Sequence, residues 1–186
     1  MTAVRLILLL CGLFQLAPAG MAEMLTPPDK AARFLFPEAS EIKKESLLLT
    51  AGEKAEASKI AKAQIHDGVF TFYRAKKGDE ELGFGGIFTS TVRTKNQTSM
   101  VGLDPNGKVL GIEVIAYYEP PEYLPQKKWL ELFKGKKRDE SLRLGQDIPI
   151  VTGATMTTEA MTEAVRIVRA VWEVKLKKSD DDKEKP

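Results

Sequence analysis

One histidine and one cysteine in 186 residues remove most of the usual side-chain chemistry from this chain. A multi-histidine metal site has no second ligand beside His66, and a triad built on a histidine base has a single candidate. A lone histidine at a helix end is most often a surface or capping residue. Cys11 lies inside the apolar run 6–16 and follows Leu10, where a lipidated cysteine follows a small residue. No disulfide framework exists. Charge of one sign is lacking too: 28 Lys and Arg face 26 Asp and Glu, which removes the electrostatic case for a nucleic-acid partner. Redox or group-transfer chemistry here would have to come from a bound cofactor.

What is present begins with Arg5, the apolar run 6–16 and the small-residue stretch Ala17-Pro18-Ala19-Gly20-Met21-Ala22. A basic start, a short apolar centre and a small-residue exit form a secretory signal, predicting export with cleavage after Ala22 or Ala19. The run is shorter than the ~20 residues a membrane span needs, so an uncleaved anchor is the second reading. The remaining 164 residues suffice for one domain with its own core.

Along the chain, Pro27-Pro28-Asp29 predicts a short helix over 30–36, closed by Pro37. An edge strand is expected over 41–50, a helix over 51–64 with Ile60 and Ala61 inward, and a strand over 69–74. Residues 82–93 read as a strand interrupted by Gly83, Gly85 and Gly86, which mark a bulge or a close backbone approach. Asp104-Pro105-Asn106-Gly107 separates strands 99–103 and 108–118, a hairpin signal. In the second strand Leu110, Ile112, Val114 and Ala116 would share one face and Val109, Ile115 and Tyr117 the other, predicting a central strand covered by helices. A short helix over 129–133 would turn Trp129, Leu132 and Phe133 inward. A last helix over 158–178 carries a buried stripe of Met161, Ala164, Val165, Val168, Val171 and Trp172, with Thr157 or Thr158 as its cap. The fold class is α+β: one antiparallel or mixed sheet with a glycine-rich strand and a central hairpin, covered by helices, with a long C-terminal amphipathic helix. The organisation reads as signal 1–22, an N-terminal helical and strand segment 23–66, a main domain 67–178 and a disordered tail 179–186.

Thr152-Gly153-Ala154-Thr155-Met156-Thr157-Thr158 carries the most information. It precedes a helix, and a helix start offers unpaired N–H groups and partial positive charge, a seat for a phosphate. Gly153 and Ala154 allow close approach of an anion, and the threonines supply hydroxyls. From the residues alone an N-cap is the competing reading.

This motif resembles the Ser/Thr-Gly-Ala-Thr-x-Thr-Ser motif of the FMN-binding domain family, which includes the peripheral flavin subunits of sodium-pumping quinone reductase and Rnf-type complexes and related periplasmic flavoproteins. The likeness extends over about residues 82–169: Gly-Phe-Gly-Gly, the hairpin, Glu-Pro-Pro, Trp-x-x-x-Phe-x-Gly-Lys and then the threonines. In covalent members the threonine after Gly-Ala is esterified to the FMN phosphate by a flavin transferase that uses FAD, and that residue corresponds to Thr155. Those members usually have an aspartate where this chain has Pro149; Asp147 is the nearest acid.

The resemblance implies FMN as cofactor, with the phosphate at Thr152, Gly153, Ala154, Thr155, Thr157 and Thr158. Tyr118 and Glu119 fall where the family has a Glu-Thr-Pro-Gly stretch near the flavin, with Pro120 in place of its threonine. Trp129 is a stacking candidate, with core packing the competing role, and Tyr123 is a weaker one. The function implied is an exported FMN-binding electron-transfer protein outside the cytoplasmic membrane or associated with it. Its partners would be a membrane or periplasmic redox protein and a flavin transferase. Two other readings stand beside it: a cofactor-free binding or assembly module retaining the fold, and a flavin reductase or oxidase, for which no substrate-handling residues stand out.

Overall fold

The computed structural model describes residues 23–177. The signal expected over 1–22 and the tail expected over 179–186 lie outside those residues. Six strands form one sheet: β1 (Glu23–Met24), β2 (Glu41–Leu48), β3 (Val69–Lys77), β4 (Glu80–Thr91), β5 (Asn96–Leu103) and β6 (Val109–Tyr117). Their order is β1-β6-β5-β4-β3-β2, and every pairing is antiparallel. Both β1 and β2 belong to this sheet, so the segment 23–66 completes it at the two edges.

Four helices cover it. The first, α1 (Pro28–Leu35), begins with proline at its first position and buries Ala31 and Ala32. It lies on β5 and β6, where Leu35 fills the space left by Gly102 and Gly111. Next, α2 (Ala51–Ala61) starts with a capping box: Glu53 N–H donates to the Thr50 hydroxyl and Thr50 N–H to the Glu53 carboxylate. Its inward residues are Ala57 and Ala61, whereas Ile60 is exposed, contrary to the expectation. The helix α3 (Lys127–Leu130) continues into a 3-10 turn, Glu131–Phe133, with Trp129 and Phe133 buried but Leu132 exposed. The longest, α4 (Thr155–Trp172), ends in a π turn, Glu173–Lys177. It crosses β4 and β5 on the face opposite α1, with α2 alongside it. No helix among the described residues is long and apolar enough to cross a membrane.

The glycines of β4 are explained by close approach. A Cβ on Gly86 would stand 2.4 Å from Val168 Cγ1 of α4 and 2.9 Å from the Phe72 ring. The approaching object is the domain's own core, as the resemblance suggested.

The expected faces of β6 are corrected. Both faces are covered, but the strand lies one place from the sheet edge, with only the two residues of β1 beyond it. The register with β5 shifts between Thr98 and Ser99 and again between Gly102 and Leu103. Each bulge breaks simple alternation and moves the following side chains to the other face. Val109, Ile112, Val114 and Tyr117 therefore share the α4 side, while Leu110, Ile115 and Ala116 belong to the clusters on the α1 side. Tyr117 is thereby aimed at α4.

Candidate functional site: the first turn of α4

The helix begins three residues earlier than its periodicity suggested, at Thr155. Residue Ala154 occupies the capping position with no side-chain cap, so neither Thr157 nor Thr158 serves as one. Before it, Gly153 holds φ +84, a left-handed conformation, with open space where a Cβ would stand. Thr158 N–H donates to Ala154 carbonyl at 2.9 Å and closes the first turn. The N–H groups of Thr155, Met156 and Thr157 have no hydrogen-bond partner among the described residues. Three free donors and the positive end of an 18-residue helix make an anion seat.

The four threonines divide into two pairs. Thr152 and Thr155 are exposed, and the Thr155 hydroxyl makes no hydrogen bond among the described residues. Thr157 is only 1% exposed, its hydroxyl 3.0 Å from the Tyr117 hydroxyl. Thr158 is fully buried and donates its hydroxyl to Thr155 carbonyl at 2.9 Å. The expected ring of four ligand-facing hydroxyls is therefore two. The inward pair extends the stripe of Met161, Ala164 and Val165 back by one turn, a signal present in the sequence.

Glu119 follows the bulged end of β6. One oxygen, Oε1, accepts N–H groups from Arg93 at 3.0 Å, Thr94 at 2.8 Å and Lys95 at 2.9 Å. These bonds, with Thr94 foremost, hold the Glu119 carboxyl below its ordinary value of 4.5. The residue thus fixes the turn between β4 and β5. From that turn the Arg93 guanidinium lies over the Tyr123 ring at 4.4 Å. Arg93, Tyr123 and Glu119 line one small cavity with Gly153, Ala154, Met156 and Thr157. Sequence reasoning missed Arg93 because nothing local links a turn at 92–95 to a helix start sixty residues later.

Two further candidates lie elsewhere. Tyr118 packs against the cluster on the α1 side, and its N–H donates to Asn96 carbonyl at 3.1 Å. Trp129 is 6% exposed, stands edge-on to Phe133 at 5.1 Å between ring centres, and donates its indole N–H to Pro149 carbonyl at 2.8 Å. It anchors the chain leading into the motif, and the core role accounts for its ring. Asp147 accepts from the Ser141 hydroxyl at 2.7 Å and from Arg143 N–H at 2.8 Å, which ties it to the preceding loop.

The cavity beside the turn is about 10 Å³, room for a single water. A flavin ring does not fit inside it. A phosphate fits the turn, which is open to solvent at Gly153 and Thr155, and Met156 adds an apolar surface 46% exposed. No group of three or more His, Cys, Asp or Glu residues suited to a metal occurs among the described residues.

Comparison with known proteins fits this geometry. Residues 95–169 match the model of the FMN-binding domain. A subunit of an ion-translocating oxidoreductase complex from Shewanella oneidensis is 34% identical over an alignment covering 39% of this chain and 39% of that one. The matched region thus spans about two fifths of that curated relative. The crystal structure of Shewanella oneidensis NqrC superposes with a TM-score of 0.54 at 17% identity, covering 76% of this chain and 84% of that one, and shares the fold. From Lys95, in the turn that Glu119 holds, to Arg169 in α4, the chain is thus similar to the FMN-binding domain family, and FMN is the cofactor that this similarity points to.

Proposed function

We propose that this protein is an exported FMN-binding electron-transfer protein that holds the flavin phosphate at the first turn of α4, with Thr155 as its covalent anchor. One observation carries the reading: among the described residues, Thr155 holds the one hydroxyl of that first turn without a hydrogen-bond partner, exposed at the first helical position beside three N–H groups that also have none. The N–H groups of Thr155, Met156 and Thr157 would hold the phosphate charge, and Arg93 adds a cation on the same side. Thr157 and Tyr117 would keep the helix start in place from beneath. When bound, FMN supplies one- and two-electron chemistry.

A cavity of about 10 Å³ has no room for the ring, so the ring would lie outside the protein core, over the exposed side of the turn. An exposed ring suits exchange of electrons with another protein, and nothing there forms an enclosed pocket for an organic substrate. The subunit character of the relatives supports a membrane redox partner, and a solvent-facing Thr155 is accessible to a flavin transferase. Export rests on the charge and hydropathy pattern of residues 1–22.

A second reading, a cofactor-free assembly module, is favoured by the lack of a preformed ring cavity. Visible absorbance of the full chain co-expressed with a flavin transferase separates the two. The proposal expects flavin bands that survive denaturation and precipitation. A colourless protein supports the module, and bands lost on precipitation mean FMN held without the ester.

A further inference from the structure

The second half of α4 borders a cleft of about 320 Å³, closed by α2 and the loop 138–141. Four cations line it: Lys62, Arg138, Arg166 and Arg169. Three acids share the lining, but two of them are engaged. Glu140 accepts from Lys136 Nζ at 3.0 Å and from Lys137 N–H at 2.7 Å, and Glu173 pairs with Arg138 at 3.4 Å. Asp139 is the third, against Lys62, Arg166 and Arg169.

Arg169 is 6% exposed, and its one hydrogen bond among the described residues runs from a terminal N–H to Glu140 carbonyl at 3.2 Å. Among the described residues its Nε–H is buried without a partner, and so is that of Arg166. A buried arginine that serves only the fold needs its fork filled, because desolvating the charge without partners is costly. Two neighbouring guanidinium groups with open donors on one cleft match the geometry of an oxyanion. The burial of Arg169 also pulls its proton affinity down, which Glu140, Glu173 and Asp139 oppose. The site is separate from the flavin turn: Arg166 and Arg169 lie eleven and fourteen residues beyond Thr155, about 16 to 21 Å along the helix axis.

We propose that this cleft binds a small anionic ligand through a phosphate or carboxylate group held by Arg166 and Arg169, with Lys62 as the third cation. Its volume is at the lower end of small-molecule sites, about 300 to 1,000 Å³.

The test is a nuclear magnetic resonance titration of the full chain with inorganic pyrophosphate and, separately, citrate, at constant ionic strength. The Nε–H signals of Arg166 and Arg169 report the cleft, and the amides of residues 153–157 report the flavin turn. The proposal expects the two arginine signals to move to saturation with Kd below about 1 mM. The tighter of the two probes identifies the group preferred. Arg166→Gln, at a partly exposed position, should weaken binding at least about tenfold. Arg169→Lys keeps the charge but loses the fork and should weaken it as well. Arginine signals unmoved at about 10 mM, movement confined to residues 153–157, or equal affinity in Arg166→Gln would overturn it.

Discussion

The first turn of α4 leaves three N–H groups and a hydroxyl to solvent beside a cavity of about 10 Å³, whereas every residue from Ile167 to Trp172 is buried. The difference lies in what each end packs against. The late turns press on the sheet where β4 has no side chains: Gly86 admits Val168. The first turn passes the end of the sheet and is held through side-chain contacts, Tyr117 to Thr157 and the Glu119-braced turn beside it. Rigid helix behind and open donors in front is an arrangement that positions an anion without enclosing it.

That contrast can be broken most severely at the packed end. Gly86→Ala inserts a methyl against Val168 and Phe72, and should cost about 1 to 3 kcal/mol in urea denaturation. The folded fraction should still carry flavin, because the first turn is untouched. Tyr117→Phe acts at the open end. It removes the partner of a buried Thr157 hydroxyl and should cost about 1 kcal/mol. Its signature is faster amide exchange in residues 155–158 with little change later in the helix.

Acid sharpens the same distinction. The folded-state value of Glu119 lies below 4.5, so its contribution to stability is complete above that value and disappears as pH falls through the lowered one. Amide exchange of residues 93–95 should accelerate in that acid range. Glu119→Gln should remove most of this pH dependence. The smallest effect on stability belongs to Thr155→Val: at an exposed position with no partner, a change within about 0.5 kcal/mol is expected.

How much of this was legible in the sequence follows the same division. The glycines, the hairpin and the apolar stripe of α4 are local patterns, and each appears in the structure where the pattern placed it. The two bulges in β6 leave no mark in residue type, so strict alternation put Ile112, Val114 and Ile115 on the wrong faces, while the two shifts cancel for Tyr117, which stays with Val109. Placing the helix start at Thr158 concealed the split among the threonines; a start at Thr155 turns Thr157 and Thr158 inward. Glu119 was singled out from a resemblance and proves to be a brace for residues 93–95. Trp129 was ambiguous from its type alone; the structure buries its ring against Phe133 and sets its N–H on the Pro149 carbonyl. These outcomes depend on contacts between segments tens of residues apart, which no window of sequence contains.

The most direct test is the mass of the peptide containing Thr155, taken from the full chain co-expressed with a flavin transferase and compared with the same peptide from Thr155→Val. A phosphoester-linked FMN on Thr155, absent from the variant while its stability is unchanged, is the predicted result. An FMN adduct of equal yield in the variant, or a wild-type peptide of unmodified mass, would contradict the assignment of Thr155 as the anchor.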